Sequence, residues 1–389
     1  MSRSDVSRQR PGLARLRGYR RSWLRYDVLA GVTVAAYLIP QVMAYAEVAG
    51  LPPVVGLWAI VGPLLVYAVL GSSRQLSVGP ESTTALMTAA AVGSVAAGDP
   101  ARYAALAAAL SLVVGVWCVV GWVGRLGFLA DLLSKPVLVG YMAGIAAIMV
   151  GSQLGKLTGI HGDADSFATE VAYVARHLDE IHLPTLVLGA AVLALLLVGS
   201  HLMPRAPMPL VGILLAAAAV ALFDLQARGI AVVGEIPAGL PAPSLPSVSA
   251  GDVGSLLLPA VGVAIVAYSD NVLTGRTFAA RNGYSIDANQ EFLALGAANL
   301  ASGVMQGFPV SSSGSRTVIG DSLGSRSQLY SLVALATVLL SMMFLRPVLA
   351  AFPSAALGAI VVYAATRLVD VAEFRRIARF RRSELLLAL

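Results

Sequence analysis

Two polar stretches interrupt a chain that is otherwise almost continuously apolar, and they constrain its fold more than any other feature. The first runs from Gly71 through SSRQLSVGPESTTAL, and the second from Gln306 through GFPVSSSGSRTVIG. Each stands between apolar segments, where a membrane-spanning helix is expected. Hydrocarbon cannot hydrogen-bond an open backbone, so such chain is tolerated at membrane depth only inside protein or beside a water-filled cavity. Matching breaks in two halves of a membrane protein are typical of a site that holds a small solute or ion.

The composition supports the membrane interpretation. Of the 389 residues, 57% are hydrophobic and 12% are charged, and the mean hydropathy is +0.79. Soluble domains carry about 25% charged residues. About twelve apolar segments, some short or broken, predict an all-α polytopic protein, because one span needs about 20 residues.

The basic residues predict the orientation of the chain. The net charge of +6 does not indicate a nucleic-acid partner, because Lys and Arg collect at loop ends and tails, as membrane topology requires. The first 25 residues contain eight arginines and no cleavable apolar signal. We therefore expect a multi-pass protein with a cytosolic N-terminus and an even number of helices.

Both interruptions combine an extended piece with a helix start. Gly79-Pro80 breaks the first stretch, and a helix then opens at Glu81-Ser82-Thr83. In the second stretch a Ser-rich helix start precedes Arg316. Two bare helix N-termini aimed at one point would supply unpaired N–H donors and two positive dipole ends, which suits an anion. The alternative, a flexible Ser-rich linker, is disfavoured because the flanking sequence is apolar.

Asp270 lies in the middle of an apolar segment, where a carboxylate is costly unless it is paired, protonated or bound to a cation. Thr274 follows four residues later on the same helix face. The two residues together suit Na⁺, and Asp270 alone suits proton exchange. A structural ion pair between Asp270 and Arg316 is the alternative.

Three further polar residues have two interpretations each. Gln41 and Tyr45 follow Pro40 on one helix face, where they contact either the bound anion or a neighbouring helix. Glu81 is either an ordinary acid in a first helical turn or a group for protonation or cation coupling, since it would repel an anion held there.

Other chemistry finds little support in the sequence. The four histidines fall in or beside loops, and Cys118 is a single thiol in an apolar run. No membrane-depth cluster suggests a metal, and no buried base accompanies the serines, so we do not expect an enzyme.

At this point the motifs resemble the sulfate permease (SulP) or solute-carrier-26 family of anion transporters. The stretch Asp27-VLAGVTVAAYLIPQVMAYAEVAGLPPVVGL resembles the first-helix signature of that family, and Asn282-GYSIDANQEFLALGAANLASG resembles its connection between helices 8 and 9. Ser72-SRQLSVGPES and Gly307-FPVSSSGSR resemble the entries to its helices 3 and 10. The likeness covers nearly the whole chain, and actinobacterial members are the most similar, which implies a bacterial plasma membrane.

The resemblance implies an inverted-repeat (7+7) fold with core and gate domains, in which half-helices 3 and 10 break at the midplane. The last two helices and the STAS domain typical of the family are missing from this chain, and a homodimer is left open. The expected domains are a leader at residues 1–26, core helices 1–4 at 27–124, gate helices 5–7 at 125–225, an extracellular coil at 226–253, core helices 8–11 at 254–345, and gate helix 12 with the start of 13 at 346–389.

The resemblance also implies where the anion is bound. Asp270 matches the acidic coupling position of segment 8, and its pairing with Thr274 resembles the sodium site of cyanobacterial bicarbonate transporters. The expected substrate-binding residues, taken from the sequence and the resemblance together, are Gln41, Tyr45, Glu81, Ser82, Thr83, Ser312, Ser313, Gly314, Ser315 and Arg316.

The function expected from these features is secondary active transport of an inorganic oxyanion, with sulfate favoured and H⁺ or Na⁺ as coupling ion. No other cofactor is expected, and the partners are a small inorganic anion and the lipid bilayer. Bicarbonate, a dicarboxylate or chloride is the alternative cargo on the same fold. A passive anion channel is the alternative of a different class.

Overall fold

The structure is a computed structural model that describes residues 19–96, 98–131, 135–160, 167–203, 206–237 and 239–368. The expected leader up to residue 18 and the basic stretch after residue 368 lie outside this range. In chain order the elements are α1 (Leu24–Val48), α2 (Pro53–Leu70), β1 (Val78–Gly79), α3 (Ser82–Ala96), α4 (Pro100–Val123), α5 (Lys135–Gly151), α6 (Leu154–Thr158), α7 (Phe167–Arg176), α8 (Leu183–Leu202), α9 (Met208–Leu222), α10 (Ala250–Arg281), α11 (Ala288–Val304), β2 (Ser311–Ser312), α12 (Gly314–Ser322), α13 (Leu329–Phe344), α14 (Arg346–Ala350) and α15 (Ser354–Leu368).

Five of the described helices are long and apolar enough to cross a membrane. They cover Arg21–Val48, Pro53–Leu70, Pro100–Val123, Leu183–Leu202 and Ala250–Arg281. Four shorter apolar helices are α3, α9, α13 and α15. The predicted breaks are confirmed, because α3 and the nine-residue α12 each begin only after a non-helical stretch.

The chain divides into two compact units. Unit 1 comprises Met1–Leu132 and Gly239–Met343, and unit 2 comprises Leu133–Ala238 and Phe344–Leu389. Both polar interruptions and every residue of the candidate site fall within unit 1.

Small residues let the helices of unit 1 approach closely. A Cβ added to Gly115 of α4 would lie 2.9 Å from the carbonyl oxygen of Gly296 on α11, and a Cβ on Gly296 would lie 3.0 Å from that of Gly115. A Cβ on Gly56 of α2 would lie 1.9 Å from the carbonyl oxygen of Val42 on α1. Helices in a membrane associate by such packing, because lipid is as apolar as the side chains themselves.

In unit 2, the coil before α10 is ordered by backbone pairing rather than by a helix. Val232 forms an antiparallel bridge with Pro353. The N–H of Gly234 also donates to the carbonyl of Ala350 at 3.0 Å, and the N–H of Ser354 donates to that of Ala231 at 3.0 Å. These bonds hold the chain that enters α15.

Candidate anion site at the two helix breaks

A two-stranded antiparallel ladder joins the two polar interruptions. Val78 pairs with Ser312, and Gly79 pairs with Ser311. The N–H of Ser313 extends the ladder by donating to the carbonyl of Ser77 at 2.8 Å. Because α3 and α12 follow these strands within three residues, the ladder brings the N-terminal ends of both half-helices to one place in unit 1.

Side chains satisfy the open backbone of the second interruption. The Asn299 side chain accepts from the N–H of Val310 at 2.9 Å and donates to its carbonyl at 3.1 Å. The Ser302 hydroxyl donates to the carbonyl of Phe308 at 2.7 Å. These bonds replace the helical ones that Pro309 and the extended chain cannot form, so the break is stable in an apolar setting.

Glycine permits the close passage of the first strand. A Cβ on Gly79 would lie 2.1 Å from Cδ1 of Ile60 and 3.5 Å from an Nη atom of Arg316. Pro80 follows directly and disfavours a helical conformation at Gly79. The Gly79-Pro80 pair therefore ends the strand beside the arginine and allows α3 to begin at Ser82.

The start of α12 is uncapped. Ser313 occupies the N-cap position without a side-chain hydrogen bond to the helix, and its hydroxyl lies 3.2 Å from that of Ser315. Gly314 and Ser315 are exposed although their neighbours Ser313 and Arg316 are buried, and a Cβ on Gly314 would meet nothing within 4 Å. A helix start with free N–H groups beside open space is a favourable place for an anion.

Arg316 is the largest fully buried side chain of the described residues, with 0% exposure. Its Nε donates to the Ser77 hydroxyl at 3.3 Å, and its Nη2 donates to the carbonyl of Pro80 at 3.1 Å. Its Nη1 has no hydrogen-bond partner. The guanidinium is therefore held by the first interruption and keeps the two N–H groups of Nη1 for a further acceptor.

The start of α3 is not bare, and here the sequence-based expectation is wrong. The Glu81 carboxylate accepts from the Ser82 hydroxyl at 2.6 Å and from the N–H of Thr83 at 2.8 Å. Glu81 therefore caps α3, which is one of the two roles that the sequence suggests for it. The physical reason is that an acid directly before a helix reaches the first free N–H groups of its own helix.

Asp270 contacts the second interruption rather than the arginine. The Ser312 hydroxyl donates to Oδ2 of Asp270 at 3.0 Å, and Glu81 lies within electrostatic range. The alternative ion pair with Arg316 is absent among the described residues. No hydrogen bond joins Thr274 to Asp270 in this part of the chain, and the described residues hold no group of three metal-ligating side chains.

Gln41 and Tyr45 are both buried on α1. Tyr45 is close to Ser82 and lies within electrostatic range of Glu81 and Arg316, so it stands beside both half-helix starts. The Oε1 atom of Gln41 is buried without a hydrogen-bond partner among the described residues.

Sequence reasoning missed the fully buried acid Glu291. Glu291 of α11 is 0% exposed and accepts from Tyr67 at 2.8 Å, from the N–H and hydroxyl of Ser72 at 2.8 and 2.6 Å, and from Asn271 at 2.6 Å. Asn271 is the residue next to Asp270. Glu291 therefore ties the chain entering β1 to the helix that carries Asp270. In the sequence Glu291 resembles an ordinary capping acid, because it lies in the first turn of α11. Only the apolar segments on either side of it could have indicated that it is buried.

The family profile and the similar sequences agree on one family. The profile described as "Sulfate permease family" matches residues 24–389. A Mycobacterium tuberculosis protein named "Probable sulfate transporter MT1781" is 59% identical over 379 residues, which are 97% of this chain and 68% of that protein. The Arabidopsis thaliana "Probable sulfate transporter 3.3" is 33% identical over 91% of this chain and 58% of its own length.

Solved structures match in fold. The structure of murine Solute Carrier 26 family member A9 in the inward-facing state aligns with a TM-score of 0.90 at 24% identity, covering 100% of this chain and 68% of that one. The transmembrane domain of the cyanobacterial bicarbonate transporter BicA aligns with a TM-score of 0.85 at 22% identity, covering 95% of this chain and 94% of that one. The predicted fold class, an all-α polytopic membrane protein of this transporter type, is confirmed.

Proposed function

Because this chain belongs to the sulfate permease family, we propose that it is a secondary active transporter that moves sulfate into a bacterial cell by alternating access. The observation that carries the proposal is the Val78–Ser312 ladder, which sets the start of α12 and the unpartnered Nη1 of Arg316 beside the start of α3. A tetrahedral oxyanion presents several acceptor oxygens to such donors.

In this proposal the anion accepts from the helix start at Ser313, Gly314 and Ser315 and from Arg316. Ser82 and Thr83 contribute once the Glu81 carboxylate has left them. Ser312, Gln41 and Tyr45 supply hydroxyl and amide groups around the same position. These donors require no covalent step, so the site binds and releases its cargo unchanged.

Coupling to a cation follows from the charge of the cargo. Moving one elementary charge against an inside-negative potential costs about 2.3 kcal/mol per 100 mV, and sulfate carries two charges. Asp270 is the proposed coupling residue, with H⁺ on its carboxylate or Na⁺ held together with Thr274. Its bond to Ser312 would link the charge state of Asp270 directly to the strand that leads into α12.

Uptake of labelled sulfate by proteoliposomes tests the proposal. An inward H⁺ or Na⁺ gradient should drive accumulation above equilibrium in the wild type. Asp270→Asn should abolish accumulation but retain exchange of internal for external sulfate. Asp99→Asn, which alters an exposed N-cap acid of α4, serves as the control and should accumulate sulfate normally.

Two results would overturn parts of the proposal. Inhibition of sulfate uptake by lower concentrations of bicarbonate, fumarate or chloride than of unlabelled sulfate would identify another cargo. Flux that never exceeds electrochemical equilibrium and is unaffected by Asp270→Asn would indicate a passive channel.

A further inference from the structure

Three arginines meet at a cavity beside the start of α1. The cavity has a volume of about 360 Å³ and is lined by Ser22, Trp23, Arg25, Tyr26, Arg74 and Arg326. Arg74 comes from the loop that precedes β1, and Arg326 comes from the loop that follows α12. All three arginines are exposed, and all belong to unit 1.

These arginines have no acidic partner in the described part of the chain, where no carboxylate lies within 4 Å of their guanidinium groups. The neighbouring Asp27 is fully buried. Its carboxylate accepts from the N–H groups of Arg326 and Ser327 and from the Ser327 hydroxyl. These donors satisfy the Asp27 oxygens, and Asp27 forms no ion pair with the three arginines among the described residues, so their guanidinium groups remain available to an anion.

Aromatic rings support two of the guanidinium groups. Arg25 lies over the Tyr26 ring at 4.6 Å, and Arg74 lies over the Tyr284 ring at 4.8 Å. Stacking of this kind restricts the arginine side chains. Nη2 of Arg25 also donates to the Tyr26 hydroxyl at 2.6 Å, and its other N–H groups remain for a ligand. Phosphate oxygens suit such edges because each guanidinium can donate two parallel hydrogen bonds.

The cavity lies at the edge of an apolar surface. Directly after it, α1 presents Leu24, Val28, Leu29 and Val32 with exposures of 48%, 40%, 55% and 47%. Trp23 and Tyr26 line the cavity together with the arginines, and in the sequence they lie beside the first of these apolar residues. Aromatic residues between an apolar helix face and basic residues mark the level of lipid headgroups in membrane proteins. A ligand with both a phosphate and acyl chains fits this surface better than a free anion does.

We propose that Arg25, Arg74 and Arg326 bind the phosphate group of an anionic phospholipid whose acyl chains lie along the exposed face of α1. This site is separate from the helix breaks that hold the proposed cargo. A dissolved phosphate ester presents the same phosphate oxygens to the arginines, but only the lipid also has acyl chains that cover the apolar face of α1.

Lipid binding would stabilise unit 1, because the phosphate would add a bridge between the loops that carry Arg74 and Arg326. Hydrogen bonds already join these two loops. The Gln75 side chain donates to the carbonyl of Ser325 at 3.3 Å. The Gln328 side chain donates to the carbonyls of Ser73 and Leu76 at 3.0 and 2.9 Å. A phosphate between Arg74 and Arg326 would bridge the same two loops, so lipid binding should raise the thermal stability of the protein.

The test compares lipids on the full chain in detergent, by native mass spectrometry and thermal unfolding. Added phosphatidylglycerol should bind and raise the melting temperature of the wild type more than phosphatidylcholine does. Arg74→Gln and Arg326→Gln should each weaken phosphatidylglycerol binding about fivefold, since one basic residue near an anionic surface contributes on the order of 1 kcal/mol. Arg281→Gln is the matched control, because Arg281 is an exposed arginine of unit 1 that already lies 3.9 Å from Asp321.

Each outcome decides the question. Equal losses in the control and the cavity variants would mean that only bulk charge attracts the lipid, and the proposal would fail. If soluble glycerol phosphate reproduced the stabilisation and displaced the lipid, the cavity would be a site for free phosphate esters instead. Should Arg326→Gln not yield a monodisperse protein, Arg74→Lys, which keeps the charge but loses the planar fork, must still bind phosphatidylglycerol more weakly than the wild type.

Discussion

Removal of the Glu81 carboxylate should strengthen anion binding, although Glu81 lies among the residues expected to contact the cargo. In the structure its oxygens occupy the Ser82 hydroxyl and the N–H of Thr83, at 2.6 and 2.8 Å. An anion can use these donors only after Glu81 releases them. Glu81 therefore competes with the cargo for the start of α3 and also repels it.

The two effects differ in size. An N-cap interaction contributes about 1 kcal/mol, which corresponds to about a fivefold change in affinity. A like charge at about 6 Å costs about 3 kcal/mol per unit charge at an effective dielectric constant near 20. Glu81→Gln removes the repulsion but keeps an oxygen for the Thr83 N–H, whereas Glu81→Ala removes both. We expect sulfate to bind at least about tenfold tighter to both variants, with Glu81→Ala the tighter of the two.

Isothermal titration calorimetry with sulfate would measure this effect. Asp99→Asn, a change at an N-cap acid on α4, should behave like the wild type. If a well-folded Glu81→Gln variant bound sulfate more weakly than the wild type, the competition argument would be refuted.

Three further predictions concern the buried groups around the site. Arg316→Gln should weaken sulfate binding on the order of ten- to hundredfold in the same calorimetric assay, because it removes one charge-assisted hydrogen bond of about 1.5–3 kcal/mol. Unchanged sulfate affinity would exclude Arg316 from the site. Glu291→Ala should lower the free energy of unfolding by at least about 3 kcal/mol, since it leaves buried donors of Tyr67, Ser72 and Asn271 unpaired, and Glu291→Gln should cost less in thermal unfolding. Gly56→Ala should destabilise the protein by about 1–3 kcal/mol, because its Cβ would overlap the Val42 carbonyl. Gly93→Ala is the control and should be neutral or stabilising, since a Cβ there meets nothing within 4 Å. Equal melting temperatures for these two variants would contradict the packing described for α1 and α2.

The helix breaks could be predicted from the sequence because their causes are local. Gly79-Pro80 and Gly307-Phe308-Pro309 disfavour a helix through backbone sterics and a missing N–H, whatever surrounds them. Because apolar segments flank both breaks, the non-helical backbone there was expected to be covered by protein. The first strand contains Val78, as its strand-like residues predict, whereas the second strand covers Ser311 and Ser312, which the sequence assigned to the Ser-rich helix start.

The pairing of those strands could not be predicted in the same way. The register that sets Val78 opposite Ser312 depends on tertiary packing, in which α2 contacts β1 and α10 contacts β2. The groups that satisfy the second break, Asn299 and Ser302, lie on another helix and carry no signal of their own. The same holds for Glu291, whose four hydrogen bonds come from three separate segments.

The two half-helix starts are chemically unequal, and this inequality bears on where the anion binds. The start of α3 already holds a carboxylate, whereas the start of α12 has no cap and is followed by Arg316 with an unpartnered Nη1. If the chain carries sulfate, Glu81 and sulfate cannot both accept from the Ser82 hydroxyl and the N–H of Thr83. Sulfate must then either bind at the start of α12 alone or displace the Glu81 carboxylate from the start of α3. The first course predicts that Ser82→Ala leaves sulfate affinity unchanged, and the second predicts that it weakens sulfate binding in the same calorimetric assay.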